Sequence, residues 1–340
     1  MRKSSVRHIV LSVALSLFLL LVVANLFMGS IDIPANEVLA ILTGGNCANV
    51  AWETIILDIR LPQLLTAMLA GAAISVAGLV LQTLFNNPLA GPEVLGVNSG
   101  AALGVAVVML LTGGSLAVID AVGYVAVLIG AFVGALLVMG IILLLSTLLN
   151  NNIYLLIAGV AVGYMTSSAI ILLNYFATSE GVQSYMLWGM GTFSSVSMQQ
   201  LPLFATVVAV LLFVSLLMMK PLNALLLGDA YAHNLGVDVA RVRRLALCIT
   251  GLLSAVVTAY CGPVSFLGLA VPHIARMSVR SNNHNILLPA TIFLGASIAL
   301  ACNLLCQLPG EGGFLPLSAV TSLIGAPVII YVIIKNRLRN

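Results

Sequence analysis

Few side chains in this chain could do chemistry, and their spacing excludes most reaction types. Of its histidines, only His273 falls within an apolar stretch, and with no second ligand beside it the ring reads as hydrogen-bonded to backbone. Cys302 and Cys306 stand one helical turn apart, but no histidine or acid joins them to complete a metal set. With Cys47, Cys248 and Cys261 they read as small, mostly buried residues outside any disulfide framework. No H-E-x-x-H, Ser/His/Asp or paired-carboxylate arrangement lies in the apolar stretches, so no catalytic residue and no metal site is assigned. A G-x-x-x-x-G-K-S/T phosphate loop is missing too, so ATP is not bound here in the usual way.

The elements that must position these residues are membrane helices. Hydrophobic residues make up 61% of the 340 and charged residues only 7%, with a mean hydropathy of +1.18. A soluble domain carries roughly 25% charged residues, so lipid has to be the covering solvent. Apolar stretches of the length a bilayer core requires lie near 9–28, 64–85, 94–111, 122–149, 154–176, 203–219, 245–261, 264–280, 286–305 and 318–334. The alternating short strands of a porin are not found. The expected fold is an all-α integral membrane protein of about ten transmembrane helices, forming one transmembrane domain over 1–340. The first stretch follows a basic segment but lacks a small-residue cleavage site, so it reads as an uncleaved helix.

Charge orients these helices. With the N-terminus in the cytosol, Arg2, Lys3, Arg7, Lys220, Arg241, Arg243, Arg244, Arg280, Lys335, Arg337 and Arg339 fall in cytosolic segments and Arg276 at the inner end of its helix. Arg60 alone falls outside, while Asp32, Glu37, Glu53, Asp58, Asp120, Glu180 and Glu311 lie in outer loops. Glu93, Asp229 and Asp238 count as inner-loop acids, which leaves the span interiors without Asp or Glu. Both termini are therefore expected in the cytosol. Proton-coupled transporters keep ionisable groups near the midplane, so energy for a pump would have to come from a separate ATPase.

Four polar segments carry the remaining information. NNPLAGPEVLGVNSG at 86–100 holds prolines that forbid a continuous helix; it is either a tight re-entrant connection or a rigid inner constriction. LGDAYAHNLGVD at 227–238, inside the large 220–244 loop, reads as a short helix with Asp229 as N-cap and Gly236 as stop, followed by a second helical turn from Asp238 through the three arginines. Two such helices suit docking of another protein, or a connector held to anionic lipid. YMLWGMGTFSS, within 178–200, is either an interfacial aromatic belt or a short helix across the outer mouth. In IRLPQ at 59–63, Arg60 either pairs with Asp58 or Glu53 or receives an acidic partner. Gly100/Gly104, Gly130/Gly134 and Gly159/Gly163 allow close helix packing, and Pro272 should kink or interrupt the eighth stretch.

In order and spacing these segments, with LLIAGVAVG at 155–163, GPVSFLGLAVPHIAR at 262–276 and SLIGAPVIIY at 322–331, resemble the FecCD type of permease. Such permeases serve binding-protein-dependent ABC importers for vitamin B12, haem and ferric siderophores. The resemblance implies a type II importer architecture in the bacterial inner membrane. It also implies a second permease copy, expected as a homodimer, two cytosolic ATP-binding subunits carrying ATP and Mg, and a periplasmic or lipid-anchored substrate-binding protein; no nucleic acid is expected. Residue by residue, Asn87, Pro88 and Leu89 would line an inner gate with Asn151 and Asn152 as its second layer. Gly228, Asp229, Ala232, Leu235 and Gly236 would meet the ATPase, and Trp188, Gly189 and Gly191 belong to the outer gating helix. Arg60 would dock the binding protein, although Gln63 replaces the second arginine of the family's R-L-P-R. The expected function is the permease of an ATP-driven importer working by alternating access; the rival is an ATP-independent secondary transporter or channel.

Overall fold

The computed structural model describes residues 2–29, 31–45, 47, 49–111, 121–149, 152–308 and 313–337, and every regular element among them is helical. α1 (Arg2–Phe27) leads to a small cap of α2 (Ala35–Leu42), α3 (Val50–Thr54) and a π-helical stretch, Ile55–Arg60, which continues into α4 (Leu61–Leu84). α5 (Val97–Leu111), α6 (Ala121–Leu148) and α7 (Asn152–Phe176) follow, then the short α8 (Ser179–Gly189), α9 (Leu201–Leu217), α10 (Met219–Leu225) and α11 (Asp229–Asn234). α12 (Val239–Cys261), α13 (Leu267–Val279), α14 (His284–Cys306) and α15 (Leu317–Arg337) complete the chain. Among the described residues five helical stretches, Val50–Leu84, Gly123–Leu148, Ile153–Phe176, Val239–Cys261 and His284–Cys306, are long and apolar enough to cross a membrane, and α9 with α10, bent by 53°, would make a sixth if the pair is one span. α1, α5 and α15 contribute shorter apolar helices.

α4 is the hub, packing on α14, α12, α13 and α9. Its sequence explains why: Gly71, Ala72, Ala73, Ala77 and Gly78 leave little side chain on any face, so neighbouring backbones approach on all sides. A side chain on Gly71 would meet the Gly295 carbonyl of α14. Gly78 faces the Gly268 carbonyl of α13, whose oxygen lies 1.7 Å from where a Cβ would be. That carbonyl is free because Pro272, inside α13, has no N–H to return to it. Pro272 thus leaves α13 unbroken but creates the acceptor that α4 packs against.

The glycine pairs meet each other. Gly100 and Gly104 of α5 lie against Gly134 and Gly130 of α6, each occupying the space another's side chain would need. Gly159 and Gly163 of α7 receive Leu95 and Gly96 of the preceding loop. At the end of the bundle carrying the cap, a buried amide chain ties three helices: Gln63 Nε2 donates to Asn303 Oδ1, and Asn303 Nδ2 donates to Asn25 Oδ1, each at 2.8 Å. Asn25 Nδ2 in turn donates to the Leu300 carbonyl at 3.1 Å.

Three expectations are corrected. The eighth stretch forms a helix of only 13 residues, about 20 Å long against a core of about 30 Å, because Gly262–Phe266 is non-helical. No separate helix starts at Asp238: its carboxylate accepts from the Arg241 N–H at 3.0 Å and caps α12, which runs unbroken through the arginines because no Pro or Gly interrupts it there. Glu93 is not a loop acid in water. The chain after Leu84 folds back along α13, with the Pro88 carbonyl near His273 and Pro92 near Gly268, so the Glu93 carboxylate accepts from the Phe266 N–H at 2.6 Å. This bond holds Phe266 in the left-handed conformation (φ 64°) from which α13 starts.

Candidate functional site

The residues singled out in sequence lie at the two ends of the bundle. One end, here the loop end, carries α10, α11 and the first turns of α12. Gly228, with φ 97°, precedes α11, and Gly236, with φ 81°, follows it, both in open space. Asp229 is the first residue of α11 rather than its cap, because its carboxylate is taken by Arg243 Nη2 of α12 at 2.9 Å. Ala232 is completely buried and seats α11 on its neighbours. Leu235 is exposed, and it does not stand alone: Leu226, Leu227 and Tyr231 are exposed beside it. Gly236 as the stop was legible, whereas the start was assigned to Asp229 instead of Gly228; the contribution of Leu226, Leu227 and Tyr231 was signalled only by their apolar character within a charged loop.

The loop after α4 lies at the same end. Asn86 adopts φ 45° and turns the chain, Asn87 Oδ1 accepts from the Leu89 N–H at 2.9 Å, and the Pro88 carbonyl lies 3.0 Å from His273 Nε2. This is the backbone partner that an isolated histidine requires. Pro88 and Leu89 are exposed at the loop end. Asn151 lies outside the described residues, and of Asn152 only its place at the start of α7 is described. The last turn of α4 is clamped as well: Gln82 Oε1 accepts from Arg276 Nη1 at 2.6 Å and Gln82 Nε2 donates to the Leu269 carbonyl at 3.3 Å.

At the cap end, Ser179–Gly189 of the 178–200 segment is helical, and residues 190–195 that follow are not. α8 starts on Thr178, whose hydroxyl accepts from the Gly181 N–H at 3.3 Å. Burial pushes the Tyr185 phenol up, and its ring stacks with Trp188 at 6.2 Å. Gly189 stands in open space, whereas Gly191 (φ 70°) lies against Pro263. The turn after α8 is stitched on both sides: Thr192 N donates to the Cys261 carbonyl at 2.8 Å, and Ser318 N donates to the Met190 carbonyl at 3.1 Å. Main-chain bonds therefore tie the turn after α8 to the end of α12 and the start of α15, and the Ser195 hydroxyl adds a bond to the Tyr260 carbonyl of α12.

Arg60 departs from expectation. It is buried, and its guanidinium donates to the Leu26 and Phe27 carbonyls at 2.9 and 3.0 Å and to the Ile31 carbonyl at 2.5 Å. These include the last carbonyls of α1, where the helix dipole favours a cation. Its bonds all go to main-chain acceptors, Asp32 acts on it electrostatically, and neither Asp58 nor Glu53 forms an ion pair with it. Gln63 is also buried. The signal that could have revealed this is positional, since Arg60 immediately precedes a hub helix. Among the described residues no cluster of three metal-ligating side chains occurs.

Comparison with known proteins matches this arrangement. Residues 17–335 fit the model of the FecCD transport family. The vitamin B12 import system permease protein BtuC of Klebsiella pneumoniae is 37% identical over 296 residues, 87% of each chain. The hemin transport system permease protein HmuU of Yersinia pestis is 32% identical over 321 residues, 94% of this chain and 95% of that one. A metal-chelate type ABC transporter, solved in an inward-facing conformation, superposes with a TM-score of 0.81 at 28% identity, covering 96% of this chain and 99% of the other. The shared motifs, the shared fold and near-complete coverage in both directions place the chain in the FecCD transport family.

Proposed function

We propose that the chain is the transmembrane permease subunit of an ATP-driven importer that carries a metal chelate, cobalamin, haem or a ferric siderophore, across a bacterial inner membrane by alternating access. The observation that carries this reading is the loop-end projection: α11 braced by Asp229–Arg243 and Ala232, with Leu226, Leu227, Tyr231 and Leu235 left exposed. An apolar row on a rigid, charged segment suits a protein partner better than lipid headgroups. Cytosolic ATPase subunits dock there, and ATP and Mg act on them; this chain performs no hydrolysis.

The loop end is cytosolic, as the clustering of Lys220, Arg241, Arg243, Arg244, Arg276 and Arg280 supports. Ten helices, α1, α4 to α7, α9 and α12 to α15, then lie in the membrane with both termini inside. The segments that precede the short α5 and α13 meet at the bond between Glu93 and Phe266, and irregular backbone is tolerated at membrane depth only inside protein. The Asn87–Leu89 loop forms the inner gate, with the Asn151/Asn152 turn as its second layer. α8, with Trp188, Gly189 and Gly191, forms the outer one. α7 is the least buried of the long spans, and its exposed Tyr154, Tyr164 and Met165 supply a face for a second copy. A periplasmic or lipid-anchored binding protein delivers cargo at the cap end, where Arg60 holds the turn after α1.

Reconstitution tests the reading. The chain, expressed with candidate ATPase and binding-protein subunits, is expected to purify as a complex and to move cobalamin, hemin or a ferric siderophore into proteoliposomes only when ATP is supplied. Uptake that survives ATP depletion, with no ATPase subunit accompanying the chain, would leave the secondary-transporter reading standing instead.

A further inference from the structure

α10 is the element that sequence reasoning did not separate from its surroundings. It follows α9 at a 53° bend, precedes α11 by a single turn, and packs on α14 and α4. Its Leu222 is completely buried. Its one polar side chain aimed at the bundle is Asn223. Asn223 Oδ1 accepts from the main-chain N–H of His284 at 2.8 Å and lies 3.0 Å from His284 Nδ1, while Asn223 Nδ2 donates to Asn283 Oδ1 at 3.0 Å. Asn283 is the N-cap of α14, accepting from the Asn285 N–H at 2.9 Å. Asn223 thus completes the cap of a helix to which it does not belong, supplying an acceptor for one of the N–H groups that every helix start leaves unpaired.

The chain of bonds continues through the imidazole. An amide oxygen only accepts, which assigns the ring hydrogen to Nδ1 and leaves Nε2 to accept from the Thr83 hydroxyl at 2.9 Å. That hydroxyl also lies 3.0 Å from the Leu79 carbonyl of its own helix. His284 is 1% exposed, so water does not replace either partner. Thr83 sits beside Gln82, which clamps Arg276 and Leu269, and three residues before Asn86, where the chain turns into the Asn87–Leu89 loop. α11 is fixed on its other side by Arg243–Asp229. A displacement of α11 therefore has two polar routes into the bundle, and only the one through α10 ends at the last turn of α4.

We propose that Asn223, His284 and Thr83 form the joint that carries movement of the α11 segment to the loop after α4, with Asn223 and Thr83 as positioning residues for the gate. A short hydrogen-bonded chain between rigid helices transmits a shift because breaking it leaves buried polar groups unpaired. This proposal rests on the reading of α11 as the ATPase-docking segment and of Asn87–Leu89 as a gate.

The test uses the complete complex of permease, ATPase subunits and binding protein, with Leu89→Cys as reporter. Its reaction with a membrane-impermeant maleimide is followed by mass spectrometry of the labelled peptide, without nucleotide and with nucleotide trapped by vanadate. In the otherwise intact chain the two rates are expected to differ about tenfold. Asn223→Ala and Thr83→Val should each bring the ratio to within about twofold of unity while the ATPase subunits still co-purify. Thr83→Ser, which keeps the hydroxyl, should restore it, and the double variant should do no worse than either single because both break one chain. A purely structural role would lower the yield of complex and leave the ratio of the surviving complex unchanged, which overturns the joint. A ratio near unity in the intact chain overturns the gate reading and the joint together; a full ratio in both Asn223→Ala and Thr83→Val overturns the joint alone.

Discussion

Arg60 and Gly29 show how a single charge can be fully occupied inside a protein. The guanidinium bonds three carbonyls at the turn after α1, and a Cβ on Gly29 would lie 2.8 Å from its Nη2. Arg60→Ala is expected to lower stability by about 2 kcal/mol, since bonds to a charged group are worth more than neutral ones and the carbonyls are left behind. Thermal unfolding of the purified permease in detergent measures this, and binding-protein affinity should stay within about twofold. Affinity lost without any loss of stability would reinstate a direct docking role. Gly29→Ala should destabilise the intact chain but add little to Arg60→Ala, because the atom it displaces is then gone; independent, additive losses would contradict the packing described. Lysine cannot replace Arg60 here, since one ammonium does not span three carbonyls held in a planar fork.

At the scale of elements, the α4–α13 contact is the tightest coupling of sequence to packing. Gly78→Ala forces a methyl onto the Gly268 carbonyl, and overpacking of this kind costs about 1 to 3 kcal/mol; unchanged thermal stability would show that the helices can part freely. On α11, Leu235→Glu and Tyr231→Glu place charge on the exposed apolar row and should abolish co-purification of the ATPase subunits while leaving membrane insertion intact. Gly236→Trp, in open space but at φ 81°, should lower transport with normal insertion. Much of this level was legible in sequence: the close-packing glycines of α5 and α6, Gly236 as the stop of α11, and the backbone partner of His273. What escaped has a common cause. Hydropathy averages over a window, so it does not report that 85–96 folds back along α13, that Glu93 is drawn in to cap it, or that Arg60 and Gln63 turn inward, because each depends on a partner far away in the chain.

For the whole molecule, the polarity of the two ends organises function. The loop end gathers the arginines, the exposed apolar row and the Asn87–Leu89 turn, whereas the cap end is tied by main-chain bonds and a buried amide chain. A protease-cleavable tag at the C-terminus should be cut in inside-out vesicles and protected in right-side-out ones; the reverse pattern would invert the proposed orientation.

The hub position of α4 also bears on how the chain is made. α5 and α6 are consecutive and carry matching glycines, so this hairpin can assemble as soon as it leaves the ribosome. α4 precedes it, yet Gln63, Thr83 and Gly71 find their partners in α14, and Gly78 and Gln82 find theirs in α13. During synthesis this helix, with polar side chains on several faces, must wait in the bilayer for roughly the last quarter of the chain to be translated. Premature termination before α13 would leave α4 exposing amides to lipid, which marks truncated chains for quality control, and the same delay makes the C-terminal helices the step that commits the bundle to its final form.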